Sequence, residues 1–172
     1  GYEPIIITRQ WDTVYNDHRD YVAPSLSQET LVEESELGTI IRAPHRPNLS
    51  ERMVLKYGIN KFKFIRKLIT FFFETLQYIL PIGPKHELYR VAKKHLENNQ
   101  VDLILATGDP FVLFKYASKL SNTYNTKWIA DYRDPWTQDV SLYNRKLLKW
   151  WYTLFERRFL KNASAVSTVS EY

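Results

Sequence analysis

Between residues 101 and 169 short apolar runs alternate with longer amphipathic ones, and this alternation limits the fold more than any other feature of the chain. Residues 101–106 (VDLILA), 127–131 (KWIAD) and 163–169 read as strands. Residues 111–120 and 142–160 read as helices, the second with Leu147, Trp151, Phe155 and Phe159 on one face. Strands separated by helices of that length cannot return as hairpins. They pair in parallel through right-handed crossovers. The expected fold class is α/β, a Rossmann-like doubly wound parallel sheet, whose ligands gather at the carboxyl ends of the strands.

The first half is less regular. Residues 4–8 (PIIIT) read as a buried strand, 9–27 as a long polar loop, and 30–33 and 38–42 as two further strands. Asn48 followed by Glu51 signals a short capped helix. Ile65, Leu68, Ile69, Phe72, Leu76 and Ile79 recur at helical spacing, which predicts a helix over 62–80 that Pro81, Gly83 and Pro84 end. A further helix over 87–99 places Leu88, Val91, Ala92 and Leu96 on one face.

Several classes of chemistry are excluded or unsupported. The chain of 172 residues has no cysteine, so it has no disulfides, no thiol nucleophile and no Cys-based zinc site. His18, His45, His86 and His95 are scattered without metal-ligand spacing, and no metal site is expected. No GxxxxGK[ST] or GxGxxG is present, and Ser167 and Ser170 lack a GxSxG elbow. The net charge of +5 permits an anionic partner. Without an RRM, KH or helix-turn-helix pattern it does not point to nucleic acid. No run is long and apolar enough to span a bilayer, and no signal peptide is visible.

Three loops lie where the strand pattern puts ligands: 8–11, 107–110 and 131–136. In the last, Asp131 and Asp134 flank Arg133, with Trp136 beyond. Either Arg133 pairs with one of the carboxylates and Trp136 covers the core, or the loop forms a cleft wall in which a carboxylate orients a hydroxyl. Thr107, Gly108 and Asp109 join a strand to a helix N-terminus. Such a terminus suits an anion or a sugar hydroxyl; alternatively Asp109 caps the helix and Pro110 fills its first turn. Lys61, Lys63, Arg66 and Lys67 open the aromatic helix and oppose its dipole. They suit either a membrane-facing helix, basic toward headgroups, or the solvated end of a core helix.

The order of VDLILATGDPF, KWIADYRDPW and FERRFLKNASAVSTVSEY, after GYEPIIIT at the start, resembles the N-terminal domain of retaining glycosyltransferases of family four. DYRDPW and the closing segment, Glu156 followed by Ala163-Ser164-Ala165 and Val169-Ser170-Glu171, carry most of that resemblance. It runs over most of the chain and is clearest after Val101. The resemblance implies one half of a GT-B fold, residues 1–172 being an acceptor-side domain without its usual first strand. On that expectation the C-terminal donor-binding domain is absent from these residues. The implied activity is transfer of a sugar, with retention, from a nucleotide-sugar donor to a saccharide or lipid-linked acceptor. The cleft would be lined by Thr107, Gly108, Asp109, Arg133, Asp134 and Trp136, and Asp131 would be the catalytic candidate. Family members often carry His where this chain has Asp131. No cofactor or metal is implied beyond the nucleotide sugar. The implied partners are the acceptor and the enzyme's own C-terminal domain; the basic aromatic helix adds an anionic membrane surface on the cytoplasmic side, and an exposed sheet edge adds a second copy. A non-catalytic Rossmann-like binding module is the other class of function the chain would suit.

Overall fold

A computed structural model describes residues 1–11 and 17–169. The chain is α/β and divides into two compact units, Gly1–Lys94 and His95–Tyr172. Among the described residues the strands form two three-stranded sheets, one in each unit.

The first unit holds strands β1 (Ile5–Arg9), β2 (Leu31–Ser35) and β3 (Gly38–Ala43) in the order β1-β3-β2. β1 runs parallel to β3, and β2 pairs antiparallel with β3 as a hairpin. Gly38 is obligatory at the hairpin: its φ is +132°, and a Cβ there would lie 2.3 Å from the Pro4 carbonyl oxygen. Helix α1 (His18–Val22) carries a capping box between Asp17 and Asp20, so the segment expected as loop is partly helical; residues 12–16 of that segment lie outside the described residues. Helix α2 (Leu49–Tyr57) starts on the expected Asn48–Glu51 box. Helix α3 (Lys63–Leu76) is shorter than its apolar spacing implies. Phe62 ahead of it has a left-handed backbone (φ 53°), so Lys61 and Phe62 stand outside the helix. The chain leaves the helix at Gln77, before the prolines. Helix α4 (His86–Asn98) sets Leu88 and Val91 against Ile7, Ile41 and Ala43. β1 is an edge strand whose Ile5 and Ile6 are exposed, not the buried strand expected from its composition.

The second unit has the expected parallel alternation. Strands β4 (Leu103–Gly108), β5 (Lys127–Tyr132) and β6 (Ala165–Thr168) lie in that order, all parallel. Helix α5 (Val112–Tyr124) continues past its expected end until Asn125 turns left-handed. Ahead of helix α6 (Lys146–Leu160), residues Val140–Leu142 form a separate 3-10 turn. The fully buried Trp128 and Ala130 of β5, with Phe114 of α5 and Phe155 and Phe159 of α6, make the core. Leu147, expected on that face of α6, points to solvent. Leu103 and Leu105 alternate onto the other face of the sheet and are exposed. Among the described residues, no helix is long and apolar enough to cross a membrane.

Asn162 joins α6 to β6 and β5. Its side-chain oxygen accepts from Trp128 Nε1 at 3.1 Å and from Ser118 Oγ at 2.7 Å. Its nitrogen donates to the Ser118 carbonyl and to Asn122. Replacing Asn162 by Leu leaves the indole N–H of fully buried Trp128 without its acceptor. The expected loss is about 3 kcal/mol in denaturant unfolding; a change within a few tenths would show that Asn162 is incidental.

Candidate functional site

In the second unit the carboxyl ends of three parallel strands bring together residues distant in sequence. The register aligns Thr107 of β4 with Asp131 of β5, and Asp131 with Ser167 of β6. These three fall on the sheet face opposite Ala106, Trp128 and Ala130. Ser167 Oγ donates to Asp131 Oδ1 at 2.7 Å, which fixes one oxygen of the carboxylate. The Arg133 amide donates to the Gly108 carbonyl at 3.2 Å and ties the loop after β5 to the end of β4. Arg133 and Asp134 are exposed. Among the described residues no ion pair joins Arg133 to Asp131 or Asp134, so the alternative of a salt-bridge knot is not realised.

Two further members of the expected set, Trp136 and Gly108, lie deeper. Trp136 is buried and stacks on Phe111, rings 4.8 Å apart and nearly parallel. Gly108 is buried under the same ring; a Cβ there would come within 2.6 Å of Phe111. Thr107 and Gly108 finish β4 and do not begin a turn. Asp109 is exposed, flanked by cis peptides on both sides. It is not the helix cap: Phe111 holds that position, with no side-chain cap hydrogen bond. Lys61 and Lys63 are exposed, Lys67 likewise, while the Arg66 guanidinium donates back to the Lys61 and Ile59 carbonyls.

Beneath the loop 131–137 lies a carboxylate from the closing segment of the resemblance, to which the sequence alone assigns no role. Glu156 of α6 is buried and accepts from Tyr132 Oη at 2.8 Å and from Thr137 Oγ1. Burial, and then the bond to the Glu156 carboxylate and its charge, push the Tyr132 phenol far above its ordinary value, so it stays a donor. Tyr132→Phe removes one of the two hydroxyls that solvate a buried charge. It is expected to cost about 2 kcal/mol in thermal unfolding; an unchanged midpoint would refute this bracing role.

The first unit has its own polar concentration at the carboxyl ends of β1 and β3. Gln10, 2% exposed, donates through Nε2 to the carbonyls of Arg42 and Glu29. His45, 3% exposed, donates its amide to Ser25 Oγ, and its Nε2 stands 3.8 Å from Glu51 Oε2. Gln10 Oε1 and His45 Nε2 are buried without a hydrogen-bond partner among the described residues. The Arg9 guanidinium donates to the Ala23 carbonyl and lies 4.3 Å from the centre of the Trp11 ring. Burial first, then the charges of Arg9 and Lys85, hold the His45 imidazole down to about 4. Burial also raises the Glu51 carboxyl. The chain thus sets a neutral imidazole beside cations at a strand end. Sequence reasoning passed over His45 because its neighbours here come from four separate segments.

The His45 shift has a definite pH consequence. A histidine held below its unfolded value takes up its proton more readily when unfolded. Its contribution to stability is therefore complete above about pH 6.5 and is lost as the pH falls toward about 4. Glu51, with its pKa raised, works in the opposite sense. The wild-type chain is expected to lose about 2 kcal/mol more than His45→Gln across that window. Parallel urea titrations from pH 7 to 4 check this, and coincident profiles would disprove it.

Among the described residues no group of three His, Asp or Glu side chains could hold a metal ion. Compared with known proteins, the chain matches no family model, no curated protein and no solved structure.

Proposed function

We propose that this chain is the acceptor-side domain of a glycosyltransferase that moves a sugar, with retention, from a nucleotide-sugar donor to a saccharide or lipid-linked saccharide. The observation that supports the reading best is the Asp131 carboxylate, oriented by Ser167 at the carboxyl end of the central strand of a parallel sheet. Thr107 lies beside it in register, and Arg133 and Asp134 are exposed on the adjoining loop. A carboxylate so fixed can accept a hydrogen bond from an acceptor hydroxyl and orient it for attack. Exposed Arg133 and Asp134 supply a donor and an acceptor for neighbouring hydroxyls. In this reading the chain is half of a GT-B enzyme, with a doubly wound sheet. The donor diphosphate binds to the enzyme's C-terminal domain, where basic groups and helix N-termini stabilise it as it leaves. The order of DYRDPW and the segments around it, which resembles family four, supports the same reading. Buried Trp136 and Gly108 then act by shaping the loop from beneath, not by touching sugar.

The test is saccharide binding by the 172-residue chain, measured by saturation-transfer NMR against a glycan panel and a panel of nucleotide sugars. An acceptor-side domain binds a saccharide weakly, does not bind nucleotide sugars, and transfers nothing alone. Asp131→Asn and Arg133→Ala are expected to weaken saccharide binding about tenfold at unchanged melting temperature. Nucleotide-sugar binding at this site would overturn the assignment to the acceptor side. Absence of any saccharide binding would favour the non-catalytic module.

A further inference from the structure

Helix α3 spans 14 residues, and none of them is buried. Helices of this length are marginal in water unless an apolar face is packed away. Here the contact with α2 runs through polar atoms. Thr70 Oγ1 donates to Ser50 Oγ at 2.9 Å, and Ser50 Oγ lies 3.4 Å from the Arg66 carbonyl. Ile69, Phe73 and Leu76 are half-buried, and the remaining apolar residues of the helix lie away from these bonds. At ~100° per residue, Phe71, Phe64, Leu68, Phe72 and Ile65 fall within one arc of about 120°. All five are exposed, Phe64 at 80%, Phe72 at 62% and Leu68 at 59%.

The charges are arranged around that arc. Lys67 and Lys63 follow it on one flank, and Lys61 stands just ahead of the helix; all three are exposed. Glu74 is the single acid in the helix. The first turn has no acidic residue and no side-chain cap, so its cations act against the helix dipole and do not serve the helix itself. Arg66 is used differently, bonding back to the Ile59 and Lys61 carbonyls and shaping the turn that presents the helix.

We propose that α3 is an interfacial helix that seats this chain on an anionic lipid surface. Phe64, Leu68 and Phe72 enter the boundary between headgroups and acyl chains, and Lys61, Lys63 and Lys67 lie among the headgroups. A lipid surface accepts a straight row of phenylalanines without a matching pocket, and cations at the flank of the row sit at headgroup level. The net charge of +5 has the same sign as the patch and favours the same anionic partner. This goes beyond the proposed sugar transfer and does not depend on it.

Co-sedimentation of the 172-residue chain with vesicles tests the proposal. Vesicles of phosphatidylcholine alone are compared with an equimolar mixture of phosphatidylcholine and phosphatidylglycerol, at low and high salt. Binding to the anionic vesicles is expected to be about a hundredfold stronger than to the neutral ones and to weaken with salt. Phe64→Ser and Phe72→Ser should each lose about tenfold. Changing Lys61, Lys63 and Lys67 together to Gln should abolish the preference for anionic lipid. These positions are exposed, so circular dichroism should show each variant folded. Because the chain has no cysteine, Phe72→Cys can carry a single environment-sensitive dye, whose emission should shift to the blue on anionic vesicles. The proposal fails if the wild-type chain does not bind anionic vesicles, or if the serine variants bind as well as it does. It fails too if the dye stays in water while the chain is bound. Self-association that Phe64→Ser abolishes, without vesicle binding, would assign the face to a second copy of the chain instead.

Discussion

Helix α6 and the turn that follows it are held against strand β5 near both ends of the strand. At the start of β5, Asn162 accepts from the indole of Trp128; at its end, Glu156 accepts from the phenol of Tyr132. Both acceptors lie against groups that are buried or half-buried, where a lost partner costs far more than a surface bond gains. A shift of α6 by one residue would break both bonds at once. The helix therefore fixes the position of β5, and with it the height of Asp131 between Thr107 and Ser167. The candidate site depends on packing that lies on the opposite face of the sheet.

The loop after β5 shows how the same residues serve packing and surface chemistry. Trp136 turns inward to stack on Phe111, and Thr137 turns inward to Glu156. Arg133 and Asp134 are left outside. Phe111 can lie over the end of β4 because Gly108 has no Cβ to meet it. The aromatic layer thus forms a floor beneath the loop, and the polar side chains stand above it.

The first unit places its polar groups differently. At the ends of β1 and β3 the polar atoms are buried, and that burial, aided by the nearby charges of Arg9 and Lys85, keeps His45 neutral over the ordinary pH range. In helix α3, by contrast, a row of apolar side chains that includes Phe64, Leu68 and Phe72 is exposed. A buried imidazole and an exposed phenylalanine row both depart from the usual partition, and such departures point to use more often than the well-partitioned core does.

Local pattern determined a good deal. The alternation after residue 101 was enough to specify three parallel strands and their intervening helices, because strand and helix periods differ and the crossovers have few solutions. The Asn48–Glu51 box marked the start of α2, because a cap needs only its neighbours. The same pattern placed Thr107 and Asp131 at strand ends. Only tertiary structure decided the rest. Ser167 reaches Asp131 across 36 positions of sequence, and Glu156 reaches Tyr132 across 24. Nothing local to either pair encodes the meeting. Helical spacing in 62–80 showed that an apolar stripe exists but not which way it faces, since periodicity is the same for a stripe turned inward or outward. The polar bonds of Ser50 and Thr70 settled that, and left Phe64, Phe71 and Phe72 in solvent.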